Sequence, residues 1–339
     1  MRLQPPKSIK RKRGILFFRF LLILLMITTV TCPAGAQNAK VNFSDSSGEE
    51  YSATSKNLDV PYIPTTMKVV QTLLDLGSVG PGDFLIDLGS GDGRIAITAA
   101  KEYGARGFGV DLNKGLVALS KKYAVAEGVE KNADFFVSCI FKTDIRAASV
   151  VTMYLVNEVN IQMRPKLLAE LKPGSRIISH DFHLGEWRPD KMVHLDIGKS
   201  YQDDTILYLW VVPARVAGWW QWRLSLSGED HTFDLDLNQN YQNINGLVKN
   251  RDYNLQIFDA DLKGNRIQFS LYAEADERMI RQDYKGRVQG NTIVGTVQLK
   301  GAVEDAQLKW QATRGERGRD RTGARLPLAG GLPLPPFRL

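Results

Sequence analysis

Cysteine is almost absent from this chain: Cys32 and Cys139 are the only two in 339 residues. Removal of a leader ending at Ala36 leaves Cys139 alone, so no intrachain disulfide is available and cysteine usage says nothing for an oxidising compartment. Cys139 reads as a small buried apolar residue. Histidine is scarce as well. His180, His183 and His194 lie near one another in sequence, but H-x-x-H on an extended segment does not bring two imidazoles together, and no Cys or acidic cluster completes a ligand set; no metal is expected. A surplus of charge is missing from most of the chain. The formal +7 is carried by Arg2, Lys7, Lys10, Arg11, Lys12, Arg13 and Arg19 within residues 1–36, which hold no acid; the remainder has 37 basic and 37 acidic side chains. A nucleic-acid-binding surface is therefore not implied.

A long hydrophobic run is lacking too. After the basic stretch ending at Arg13 an apolar segment covers residues 15–30, but Arg19 interrupts it and Phe20–Val30 falls short of the roughly 20 residues that span a bilayer. With Ala34-Gly35-Ala36 behind it, this pattern reads as a cleaved export signal over residues 1–36, with periplasmic or extracellular delivery. An uncleaved membrane anchor, and membrane association through it, is the alternative. Thr29-Val30-Thr31 makes a poor lipobox before Cys32. Residues 37–58 are polar and rich in Ser, Asn and Glu, and read as a flexible linker.

From residue 59 to 213 helical and strand signals alternate. Met67–Leu76 has apolar residues at helical spacing behind Thr65 and Thr66, either of which would cap it. Strands are predicted at Phe84–Ile86, Gly107–Val110, Asp134–Val137, Val150–Leu155 and Arg176–Ser179, with helices at Ile95–Tyr103, Leu116–Glu127 and through Leu167–Leu171. That alternation predicts an α/β domain with a parallel sheet. Met192–Ile197 and Thr205–Val212 have no helix between them and read as a terminal antiparallel hairpin. After Pro213 the period changes to two, as in Thr232–Leu237, and Gly264-Asn265 and Gly290-Asn291 each precede a strand as turn dipeptides. Residues 214–313 are read as an all-β module, sandwich or barrel, and residues 314–339 as a disordered tail.

The chemistry is concentrated in Asp87-Leu88-Gly89-Ser90-Gly91-Asp92-Gly93-Arg94, where a buried strand enters a glycine loop that opens a helix. Glycines let a ligand approach the main chain while the first helical N–H groups face it. A dinucleotide fingerprint wants its third glycine one position later, at Arg94, and a P-loop needs G-K-[ST], which is absent. Asp87 and Asp92 would repel a pyrophosphate. They suit the sulfonium and ammonium of S-adenosylmethionine (SAM), whose carboxylate can use the helix N-terminus. Asp111, after the second strand and followed by Leu112 and Asn113, is placed for the ribose hydroxyls. The expected cofactor is SAM, held by Asp87, Gly89, Ser90, Gly91, Asp92, Gly93, Asp111, Asn113 and Ile140, in a Rossmann-like class I methyltransferase sheet.

Pro61-Tyr62-Ile63-Pro64-Thr65, the loop Asp87–Arg94, Pro173-Gly174 before the fifth strand and Trp187-x-Pro189-Asp190 resemble the lysine methyltransferase family with membrane-anchored mitochondrial members, over roughly residues 59–213. The pattern also fits exported bacterial relatives. The resemblance implies that the glycine loop and Asp111 bind SAM and that the acceptor is a lysine on a protein. Many class I enzymes carry an acid after the third strand, near the adenine. Val137-Ser138-Cys139-Ile140 has none, so main-chain groups and the apolar faces of Ile140 and Phe141 would serve instead.

Acceptor groups are expected where open α/β sheets bind ligands, at the C-terminal ends of the fourth and fifth strands. Tyr154, Asn157, Glu158, His180 and Asp181 lie there, and Asp181 and Tyr154 are the chosen catalytic pair. The absence of Asn-Pro-Pro-aromatic after the fourth strand disfavours amide or adenine N-methylation. The acceptor is then a protein lysine or a small amine. A second reading, from a different class, is an exported protein that uses this fold to hold a nucleoside or lipid without turning it over. Gly218-x-Trp220 is similar to the opening of lipocalin-like barrels, although the Trp219, Trp220 and Trp222 cluster reads equally as core.

Overall fold

The computed structural model describes residues 40–44, 50–54, 62–196, 204–226, 228–249, 254–275, 278–301 and 306–315. The export signal or anchor expected in residues 1–36 and nearly all of the tail expected from residue 314 lie outside the described residues. Inside the segment read as a flexible linker, β1 (Lys40–Ser44) and β2 (Glu50–Thr54) pair as antiparallel strands, from Lys40 opposite Thr54 to Ser44 opposite Glu50. Among the described residues no helix is long and apolar enough to cross a membrane.

The α/β part is built from α1 (Met67–Leu76), β3 (Phe84–Leu88), α2 (Arg94–Tyr103), β4 (Arg106–Asp111), α3 (Lys114–Ala126), β5 (Ala133–Val137), β6 (Val150–Met153), α4 (Asn157–Glu170), β7 (Arg176–His180), β8 (Lys191–Asp196) and β9 (Asp204–Val211). The strands form one seven-stranded sheet in the order β5-β4-β3-β6-β7-β9-β8. The five from β3 to β7 run parallel, while β9 is antiparallel to β7 and β8 to β9. The terminal hairpin is thus where the missing helix placed it. Both faces are covered, so β6 is buried at all four positions and is apolar at three of them, Thr152 excepted, rather than alternating. Strand order reverses between β3 and β6, and the crevice beyond their C-terminal ends is where such sheets bind ligands. One local expectation fails. Thr66 is the N-cap of α1 but makes no side-chain cap bond, and Thr65 turns its hydroxyl to His180 instead.

The second sheet contains β10 (Gly218–Leu226), β11 (Glu229–Asn240), β12 (Asn243–Lys249), β13 (Asn254–Gln256), β14 (Phe258–Lys263), β15 (Arg266–Ala275), β16 (Arg278–Gln289), β17 (Thr292–Lys300) and β18 (Ala306–Arg314), all antiparallel. Its order is β13-β12-β11-β10-β18-β17-β16-β15-β14. The two ends of that order are halves of one strand bent at Ile257, whose amide reaches back to Gly246 O at 3.1 Å. The sheet therefore closes on itself as an up-and-down barrel, and the sandwich alternative is set aside. Both Gly-Asn dipeptides form two-residue hairpin turns of the barrel: Lys263 faces Arg266 and Gln289 faces Thr292. Trp222, Phe233, Phe269, Tyr284 and Trp310 fill the interior with edge-on and stacked rings 4.9–6.2 Å apart. Trp220 is also buried there, with the Arg314 guanidinium 4.4 Å from its ring centre.

Barrel and α/β sheet meet at Trp187. Trp187 is fully buried, stacks on Tyr241 with ring centres 5.6 Å apart, and donates Nε1–H to Gln242 Oε1 at 2.9 Å. Gln242 Nε2 donates in turn to Arg188 O at 2.8 Å. Asp190 accepts the Val211 amide at 2.7 Å and so pins β9. The Trp187-x-Pro189-Asp190 motif is thus structural at both ends.

Candidate cofactor and acceptor site

The glycine loop leaves β3 at its C-terminal end and enters α2, where Gly93 is the N-cap and offers no side chain to the first-turn N–H groups. Asp87, Gly89, Ser90, Gly91, Asp92 and Asp111 line one cleft with Ile140, as expected. Gly93 and Asn113 do not. A Cβ on Gly93 would meet Phe135 and Ser120, so that glycine serves the packing of helix on sheet, while Asn113 Oδ1 caps α3 by accepting from Gly115 and Leu116. Gly91 adopts φ +55°, and a Cβ there would lie 2.3 Å from the Tyr62 ring rather than in open space.

The carboxylates divide the work differently from the sequence reading. Asp92 is bound by Arg94, with Nε at 2.9 Å from Oδ1 and Nη2 at 2.5 Å from Oδ2, and its charge is neutralised within the protein. Asp87 is the unpaired acid. Oδ1 accepts from the Thr152 hydroxyl at 2.7 Å, Oδ2 is buried with no partner, and burial pushes the carboxyl up to about 7. Asp111 holds the loop in shape: Oδ2 accepts the Gly91 amide at 3.0 Å and Oδ1 the Asn113 amide at 2.8 Å. Burial raises its pKa against those two bonds.

The residues present fit SAM. The orphaned Asp87 oxygen is a place for an ammonium, and the buried, unpartnered Ser90 hydroxyl is a second free polar group beside it. Asp111 stands at the end of β4 for the ribose hydroxyls, the open start of α2 suits a carboxylate, and Leu112, Ile140 and Phe141 supply an apolar wall for adenine. Sequence reasoning missed the opposite wall. Tyr62, Ile63, Pro64 and Thr65 close the cleft from the segment before α1, with the Tyr62 hydroxyl engaged by Asp92 and Arg94 and Arg94 Nη1 donating to Thr65 O at 2.7 Å. Pro61–Thr65 stood out only through its resemblance to the lysine methyltransferases.

Of the two acceptor-side residues, Tyr154 lines the cleft and Asp181 does not. They are nevertheless neighbours: the Tyr154 hydroxyl lies 3.4 Å from Asp181 Oδ2, and the Asp181 side chain is 32% exposed. Burial and the Asp181 charge raise Tyr154 to about 12, so it is a neutral phenol throughout the physiological range. His180 packs its ring 3.8 Å from that of Tyr154. Asn157 accepts the His183 amide at 3.1 Å, tying the start of α4 to the segment after β7, and His183 Nδ1 accepts from the Gly185 amide within its own turn. Among the described residues no group of three or more potential ligands is placed for a metal ion.

The profile of the ANTKMT methyltransferase domain matches residues 87–191, from the unpaired carboxylate to the start of β8. A protein-lysine N-methyltransferase of Saccharolobus islandicus (strain REY15A) is 38% identical over 154 residues, covering 45% of this chain and 94% of that protein. This chain belongs to the ANTKMT methyltransferase family. It is a class I SAM-dependent methyltransferase, with SAM as its cofactor. The adenine nucleotide translocase lysine N-methyltransferase of Mus musculus is 35% identical over 137 residues, 40% of this chain, and the chain spans only 59% of that relative's length. Among solved structures, an RNA methyltransferase from Salinibacter ruber in complex with S-adenosyl-L-homocysteine is 42% identical, covering 45% of this chain and 96% of that one, with a TM-score of 0.42.

Proposed function

We propose that this methyltransferase acts on the side-chain amine of a lysine in a protein acceptor, with Tyr154 and Asp181 forming the acceptor side. The supporting observation is the continuous polar line from the cleft wall, through the Tyr154 hydroxyl, to a carboxylate that reaches the surface. The archaeal and mouse relatives are both lysine N-methyltransferases, which supports the same acceptor class.

A lysine ammonium must lose a proton before its nitrogen can attack, which costs roughly 4–5 kcal/mol at pH 7 from a free pKa of about 10.4. SAM, held by Asp87, Asp111 and the glycine loop, would supply the electrophilic methyl for an in-line transfer to that nitrogen. The protein aligns and dries the amine. Asp181, at the outer end, attracts the ammonium and takes its proton towards solvent. Tyr154, kept as a phenol, offers its oxygen to a remaining N–H; its 3.4 Å contact with Asp181 is long, so the hydroxyl is free to turn to an incoming amine. Asp87 and Asp111, at the ends of β3 and β4, serve the cofactor.

Incubation with methyl-labelled SAM and a cell-envelope protein extract, followed by acid hydrolysis, tests the reading. Label in Nε-methyllysine is expected; label confined to other methylated residues or to small molecules contradicts it. We further propose that residues 1–36 direct export, on their basic stretch, apolar run and Ala34-Gly35-Ala36. Sequencing the N-terminus of the mature protein distinguishes cleavage from a retained anchor.

A further inference from the structure

Asp181 is held in an unusual way. It has φ +60°, a left-handed conformation rare outside glycine, at the point where β7 ends. Reciprocal bonds to the neighbouring strand fix it there: its amide donates to Ile206 O at 2.7 Å, and Oδ1 accepts the Ile206 amide at 2.9 Å. Oδ1 also lies 2.5 Å from the Thr205 hydroxyl. Both donors converge on one oxygen, and Oδ2 is left facing the Tyr154 hydroxyl and His180 Nε2, each 3.4 Å away.

The Thr205 oxygen has a second short contact, 2.6 Å to His180 Nε2, and His180 Nδ1 lies 3.2 Å from the Thr65 hydroxyl. Hydrogen counting orders this series. A threonine hydroxyl has one proton, and a carboxylate can only accept, so Thr205 donates to Asp181 and must accept from His180. His180 therefore carries its proton on Nε2, and Nδ1 accepts from Thr65. Burial lowers the pKa of His180, in keeping with a neutral ring. All three bonds then point toward Asp181, whose Oδ1 receives the Thr205 proton. The series starts at the cofactor wall, because the carbonyl of Thr65 is held by Arg94.

We propose that Thr205 and His180 are positioning residues for methyl transfer: the directed series Thr65–His180–Thr205 fixes the Asp181 carboxylate with Oδ1 occupied and Oδ2 turned to Tyr154 and the incoming amine. The proposal rests on the acceptor-side reading above. Thr205 does not line the cleft and reaches it only through its partners Asp181 and His180.

The test uses the whole protein with Thr205→Val, Thr205→Ser and Asp181→Asn. Long-range proton–nitrogen NMR, with His180→Gln for assignment among the four histidines, identifies which ring nitrogen is protonated. The expected results are Nε2–H in the native protein, and for Thr205→Val a loss of that tautomer with a kcat about 10- to 100-fold lower for labelling lysine in the envelope extract. SAM affinity stays within about two-fold, and Thr205→Ser restores the rate. Nδ1–H in the native protein, a native rate for Thr205→Val, or a Thr205→Ser variant as slow as Thr205→Val overturns the proposal. A native rate for Asp181→Asn, or no lysine labelling by the native protein, instead removes the acceptor reading on which it rests.

Discussion

Thr152 donates its hydroxyl to Oδ1 of Asp87 at 2.7 Å and leaves Oδ2 of the same buried carboxylate without a partner. Burial of that carboxylate, which outweighs the Thr152 bond, makes the cofactor site sensitive to pH. Raised from 3.8 to about 7, Asp87 binds its proton more tightly in the folded chain than in the unfolded one. Its contribution to stability is therefore fully present below pH 3.8 and is lost as pH rises through about 7. Relative to Asp87→Asn, the cofactor-free native protein should lose stability over that window and level off above it, in denaturant titrations across pH. SAM binding should strengthen as pH rises through about 7, with proton release detectable by calorimetry in buffers of different ionisation enthalpy. No proton release just below that pH contradicts a cationic group beside Asp87.

Asp111 is expected to matter twice. Asp111→Ala removes the acceptor for the Gly91 and Asn113 amides, leaving two part-buried donors unpaired at about 1–3 kcal/mol each. Asp111→Asn keeps an acceptor for one of them but not the charge toward the ribose. Thermal unfolding should rank the variants native, Asn, Ala, while both substitutions weaken SAM in titrations. Equal SAM affinity in all three would detach Asp111 from the cofactor.

Gly91→Ala acts through Tyr62. The added methyl needs φ +55° and space 2.3 Å from the Tyr62 ring, so the cleft wall must move. A backbone strain of about 1–3 kcal/mol is expected together with weaker SAM binding. Combining Gly91→Ala with Tyr62→Ala should relieve the steric clash but not the whole stability loss, since the φ requirement remains.

The loop Asp87–Arg94 was legible because its chemistry is local: strand, glycines and helix start follow one another within eight positions. The parallel sheet was legible from alternating periods, and two of the barrel's hairpin turns from Gly-Asn. What escaped are relationships that no spacing encodes. Thr65 meets His180 across 115 residues, which diverted it from the capping role its position suggested. Asp92 looked like a free acid, yet Arg94, two positions on, folds back on it. Barrel closure depends on β10 finding β18 at Trp220 and Arg314, so sequence left sandwich and barrel open. Trp187, which sequence marked only as part of a family resemblance, stacks on Tyr241 and bonds Gln242 of the barrel.

That contact governs truncation. Every residue of the cofactor cleft lies between Tyr62 and Val159, and none comes from the barrel. A chain ending at Val212 should still bind SAM but lose the Tyr241 and Gln242 partners of Trp187, with lower stability and poor solubility. Gln242→Ala in the full chain should cost about 1–3 kcal/mol by unpairing the buried indole N–H. A truncated protein that is folded by circular dichroism but has no SAM affinity contradicts the division between cofactor site and barrel.

The most direct test of the central claim is calorimetric titration of the chain from residue 37 onward with SAM, using NAD and ATP as controls. The Asp87, Asp111 and glycine-loop geometry predicts saturable one-to-one binding of SAM, lost in Asp87→Ala, and no comparable heat from either nucleotide. Binding of NAD or ATP with equal or greater affinity, or SAM binding that survives Asp87→Ala unchanged, would contradict it.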